Sequence, residues 1–131
     1  MTMEAFETTV PLSLSAASHA ARQALAAEGF GVLTEIDVSA TLKSKLGVDR
    51  PPLVILGACN PTLANRALEL DPAVALVLPC NVVLQQSDGG TRVRAVDPRQ
   101  LMDDPRFAEL ADQAARKLGR AVGALGAGTG R

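Results

Sequence analysis

Two hydrophobic periods alternate along this chain, and the switches between them mark its elements. Phe6 to Leu12 mixes β-branched and apolar residues and carries Pro11, which predicts a first strand at a sheet edge. Ser13 or Ser15 then caps an alanine-rich helix that ends at Gly29. On that helix Ala17, Ala21, Ala24, Leu25 and Glu28 share one side, and Ser18, His19, Arg22 and Gln23 share the other. Val32 to Val38 alternates strictly, with Val32, Thr34, Ile36 and Val38 on the core side and Leu33, Glu35 and Asp37 outside. Thr41 to Gly47 has the length of a short helix anchored by Leu42 and Leu46. Leu53 to Ala58 is apolar on both faces, as a central strand would be.

The second half is punctuated by Asx-Pro pairs at Asn60-Pro61, Asp71-Pro72, Asp97-Pro98 and Asp104-Pro105. An Asn or Asp cap accepts from free amides while the following proline has no N–H to leave unpaired, so each pair predicts a helical start. Between them, Cys80 to Gln86 and Thr91 to Val96 flank Ser87-Asp88-Gly89-Gly90 and predict a hairpin. Its outward Arg92 and Arg94 are expected to meet Glu35 and Asp37 across the sheet. From Pro105 onward Phe107, Leu110, Ala111, Ala114 and Leu118 form the stripe of an amphipathic helix, acids early and bases late. The pattern as a whole predicts one α+β domain over residues 1–131, with a C-terminal helix over 103–125 and a flexible tail over 126–131.

Composition narrows the function classes. With 13 Lys and Arg against 14 Asp and Glu, and 2% aromatic residues, neither a phosphate-binding field nor a base-stacking platform is expected, so nucleic acid is an unlikely partner. The N-terminus has no basic start or apolar run of a secretory signal, and no segment is long enough to span a bilayer. A cytoplasmic setting follows, in which the two cysteines are expected as free thiols.

Those cysteines carry the candidate chemistry. Each is followed by asparagine, as Cys59-Asn60 and Cys80-Asn81. Cys59 ends a strand just before a helix start, where a thiol can be acidified toward thiolate; the plainer reading is a small buried hydrophobe. An antiparallel arrangement would bring Cys80 beside it. Two thiols are too few for a zinc site within one chain, and His19 sits among polar neighbours as a solvated imidazole would, so no metal site is expected. Glu35 and Asp37, two apart on one strand, could serve acid-base or cation chemistry, though a solvated or ion-paired sheet face is the commoner reading of such a pair. No nucleotide-binding glycine frame or other cofactor motif is present, and no catalytic residue is identifiable.

The ordered motifs GFGVLTEIDV, TLKSKLGVD, LGACNPTLANRAL, LPCNVV and DGGTRVRAVDP closely resemble the bacterial and archaeal family called domain of unknown function 302, over about Phe6 to Met102. The resemblance implies an antiparallel sheet with helices packed on one face, and a homodimer. It supplies no activity. It maps the family pattern onto Glu35, Asp37, Lys45, Gly57, Cys59, Asn60, Pro61, Pro79, Cys80 and Asn81. Cys59, Asn60, Cys80, Asn81, Glu35, Asp37 and Lys45 are therefore the candidate ligand-binding residues. The expected function is a non-enzymatic, homodimeric binding domain for a small molecule or ion. A thiol-based redox or sulfur-handling protein using Cys59 and Cys80 is the alternative.

Overall fold

Each of the four Asx-Pro pairs opens a helical turn with the Asx side chain as its cap. In the computed structural model, which describes residues 4–129, Asn60 starts α3 (Pro61–Leu70), while Asp71, Asp97 and Asp104 start 3₁₀ turns at Pro72–Val77, Pro98–Gln100 and Pro105–Phe107. The last of these runs directly into α4 (Ala108–Thr129). The expected C-terminal helix therefore begins later and extends further, through Thr129; Gly130 and Arg131 of the expected tail lie outside the described residues.

The earlier elements are β1 (Ala5–Val10), α1 (Leu14–Ala27), β2 (Gly31–Asp37), α2 (Val38–Leu46) and β3 (Leu53–Cys59), and the hairpin is β4 (Cys80–Ser87) with β5 (Gly90–Val96). Ser13 caps α1, its hydroxyl accepting from Ala16 N–H. In the hairpin turn Gly89 adopts a φ of 81°, in the left-handed region that glycine enters without a Cβ penalty.

The five strands form one antiparallel sheet in the order β1-β5-β4-β3-β2, so β1 and β2 are the edges. Val10, Val54, Leu56, Val82, Leu84, Val93 and Ala95 face inward and are buried against Ala17, Ala21 and Leu25 of α1 and Leu118, Ala121 and Leu125 of α4. This is the α+β architecture expected, with α1 and α4 on a single face. A second, smaller cluster joins Leu63 and Ala67 of α3 to Val74, Phe107, Leu110 and Ala114. α4 thus belongs to two cores, its first turns to the small one and its later turns to the large one.

Two expectations fail at β2. The strand carries a bulge at Leu33: Val32 pairs with Ala58 but Thr34 pairs with Gly57, so Leu33 has no opposite residue. One extra residue reverses the side-chain parity beyond it. Glu35 and Asp37 consequently share the face of Leu56 and Val54, the helix-covered side, while Thr34 and Ile36 lie on the open side. Glu35 ion-pairs with Arg22 of α1 at 2.8 Å. Arg92 and Arg94 lie on the other face and other half of the sheet, where they contact Glu7 at 2.7 Å and Gln85 at 3.3 Å instead.

The β2–α2 unit is also not held to the core as the alternation predicted. α2 starts three residues before the expected Thr41, because Asp37 caps it by accepting from Ala40 N–H at 2.9 Å. None of its residues is buried, and Leu46, expected as an anchor, is 69% exposed. Among the described residues, no helix is long and apolar enough to cross a membrane.

Candidate functional site

The two Cys-Asn pairs meet because β3 and β4 are antiparallel neighbours. Ala58 stands opposite Cys80 and Gly57 opposite Asn81, which sets Cys59 one residue beyond the Cys80 rung at the same sheet end. Both cysteines line one cavity of about 30 Å³. The cavity lies at the seam between the two cores: Phe30 and Ala58 come from the large one, Leu63, Leu110 and Ala114 from the small one, and Met102 and Leu78 lie at its side. A space of this size holds a water or two, well below the ~300 Å³ or more of an ordinary ligand pocket.

Both cysteines are free thiols. Burial pushes the Cys59 thiol up rather than down. Cys80 is pushed up to about 11, mainly by burial and secondarily by the charge a neighbouring Cys59 thiolate would carry. The acidified thiol expected beside a helix start is therefore not formed. The cause is burial, which disfavours the thiolate; the Leu63 N–H of the first turn of α3 donates to Asn60 Oδ1 at 3.2 Å.

Asn60 is a structural hinge pin as much as a cavity residue. Besides capping α3, its Nδ2 donates to the Glu28 carbonyl at the end of α1 at 3.5 Å, and it leaves so little room that a Cβ on Gly29 would lie 3.1 Å from that nitrogen. Asn81 does not join the cavity; it is exposed on the open face of the sheet beside Gly57. Gly57 and Pro79 explain each other: a Cβ at Gly57 would lie 2.8 Å from Pro79 Cγ and overlap Thr34 Oγ1.

The remaining candidates lie elsewhere. Asp37 is the α2 cap, its carboxyl held low by the Ala40 N–H and then the Ser39 hydroxyl. Lys45 is exposed in the last turn of α2, where its neighbour Lys43 pairs with Asp49 at 2.9 Å. Among the described residues, no three His, Cys, Asp or Glu side chains gather as a metal site.

Glu35 belongs to a different concavity that the sequence pattern did not disclose. A cleft of about 510 Å³ runs between α1 and the β2 side of the sheet, with Ser15, Ser18, His19 and Arg22 on one wall and Glu35 on the other. Those four α1 residues follow i, i+3, i+4, i+7 spacing, the one signal that could have shown them as a single stripe.

The family model described as Domain of unknown function DUF302 matches residues 6–125, which takes in most of α4 as well as the sheet. A solved structure, that of the uncharacterized conserved protein DUF302 from Bacillus stearothermophilus, is similar over 93% of this chain and 98% of that one, at 31% identity and a TM-score of 0.84. No curated protein matches the chain.

Proposed function

From the premise that this chain belongs to the Domain of unknown function DUF302 family, we propose that it is a non-enzymatic binding domain. Its ligand is a small, uncharged, largely apolar molecule held in the cavity at Cys59 and Cys80. The observation that carries this reading is the convergence of two thiols, both kept protonated by burial, on an apolar cavity at the seam between two cores. An ion would find no charge there to offset its desolvation. α3 and the 3₁₀ turn after it pack through the small cluster onto α4, so they form a cover whose displacement enlarges the cavity without opening the main core. Xenon is a suitable probe, since apolar cavities admit it. Xenon titration should shift the NMR signals of Met102, Leu63 and Ala58 in wild type, and Ala58→Leu should abolish the effect. Absence of any shift at these residues would sink the proposal.

The domain is a homodimer in this reading, assembled through β2 and α2. Its support is that Leu33, Ile36 and Leu46 are 66%, 50% and 69% exposed on an edge strand and a helix with no buried residue. Such a surface is a liability in a monomer. Leu46→Glu with Ile36→Lys should convert the dimer to monomer in sizing experiments; a wild type that is monomeric at every concentration ends this part of the reading. Two free thiols side by side also fit a reducing, cytoplasmic setting. The adjacency of Cys59 and Cys80 favours a second reading, thiol redox chemistry, against which their raised pKa values stand. Rapid alkylation of either thiol in the native protein at neutral pH would favour redox over binding.

A further inference from the structure

The cleft beside α1 is built differently from the thiol cavity. Leu14 and Pro52 give it a partly exposed apolar rim, while Val54 and Leu84 at its base are 8% and 0% exposed. Polar groups stand along one wall at helical spacing, with the Ser15 and Ser18 hydroxyls, the His19 ring and the Arg22 guanidinium in a single stripe. At about 510 Å³ it falls in the ~300–1,000 Å³ range typical of small-molecule sites, and a few convergent polar groups over an apolar base is their usual composition.

Most of that hydrogen-bonding capacity is unspent. Within the protein Arg22 uses Nη2 alone, donating to Glu35 Oε1 at 2.8 Å, and both partners are about half exposed. A guanidinium has five N–H donors in a planar fork, so Nε and Nη1 are left without a protein partner among the described residues. The wall therefore offers several donors against one carboxylate. That carboxylate is there only because the Leu33 bulge turns Glu35 to the helix side.

We propose that this cleft binds a small organic carboxylate with an apolar body. The ligand's carboxylate pairs with the free edge of Arg22 and takes hydrogen bonds from the α1 stripe, while its hydrocarbon portion covers Leu14 and Pro52. Glu35 competes with it for Arg22 and tunes the affinity downward. The site is separate from the thiol cavity and does not depend on the reading given for it.

Hexanoate is the probe, with hexan-1-ol and hexylammonium as uncharged and cationic controls. Titration into wild-type protein should shift the His19 ring and Arg22 Nε NMR signals with millimolar affinity, and neither control should match it. Arg22→Met should weaken hexanoate binding about tenfold or more, as loss of a charged hydrogen-bonding partner does. Glu35→Gln should strengthen it several-fold by removing the competitor, an effect that a merely structural role for the ion pair does not produce. The proposal is overturned if hexanoate shifts Met102 rather than His19, if hexan-1-ol binds equally well, if Arg22→Met leaves binding unchanged, or if Glu35→Gln weakens it.

Discussion

An alkaline titration of the folded protein reads the thiol cavity directly. Burial raises the Cys80 pKa from an ordinary 9.0 to about 11 in the native state, while the unfolded chain returns it to the ordinary value. Between those two pH values the native chain holds a proton that the unfolded chain has released. The stabilisation is therefore complete below pH 9.0, falls as pH rises, and is spent near pH 11. The gap corresponds to about 3 kcal/mol, a fifth or more of the stability of a typical domain. Cys59 is raised in the same direction and adds to the slope. Urea unfolding of wild type and Cys80→Ala across this window isolates the effect, since every contribution common to both proteins cancels in the difference. The chain has no Tyr or Trp, so the ultraviolet absorbance of a thiolate is read without phenolate beneath it. Wild type should lose ~2–3 kcal/mol more than Cys80→Ala between the two limits. Equal pH slopes, or a Cys80 thiolate signal appearing at neutral pH, would refute the burial argument.

Three further outcomes follow from single contacts. Asn60→Ala should cost about 1–2 kcal/mol in urea unfolding through loss of the α3 cap, and Asn60→Asp should recover most of it, because its carboxylate still accepts from Leu63 N–H. Gly57→Ala should destabilise by about 1–3 kcal/mol, since the new Cβ meets Pro79 and Thr34 at once, and adding Thr34→Ala should restore part of the loss in the same measurement. Arg92→Ala should leave the urea midpoint in low salt almost unchanged, because its pair with Glu7 is exposed on the open sheet face.

Where local chemistry sets the structure, the sequence was readable. The Asx-Pro pairs needed no tertiary information, because cap and proline act within four residues, and Gly89 declares its turn through a positive φ. The faces of β2 were not readable. Val32 to Asp37 keeps its alternation in letters while the bulge at Leu33 exchanges the faces beyond it, and nothing local requires that extra residue. A leucine on the supposedly polar side was the only trace. The cleft was hidden for a related reason: Ser15, Ser18, His19 and Arg22 look like the solvated side of an amphipathic helix unless Glu35 is known to face them across it. For the thiols, neighbourhood in sequence suggested a helix-terminus effect that burial outweighs.

The repeated Cys-Asn pair is thus one motif in letters and two arrangements in physics. Strand alternation puts Cys80 and Asn81 on opposite faces of β4, so the thiol enters the cavity and the amide stands on the open sheet. At the other pair the strand ends, Asn60 turns out of the ladder to hold the starts and ends of two helices, and Cys59 is left at the boundary between strand and cover. Cys80 is accordingly the more deeply held thiol and Cys59 the nearer to solvent. In the proposed binding reading, a reagent entering the cavity meets Cys59 first, and reaction at Cys80 reports movement of the α3 cover. Alkylation of Cys80 should therefore slow when xenon occupies the cavity, whereas at Cys59 the change should be smaller; equal slowing at both would mean that the cover does not control access.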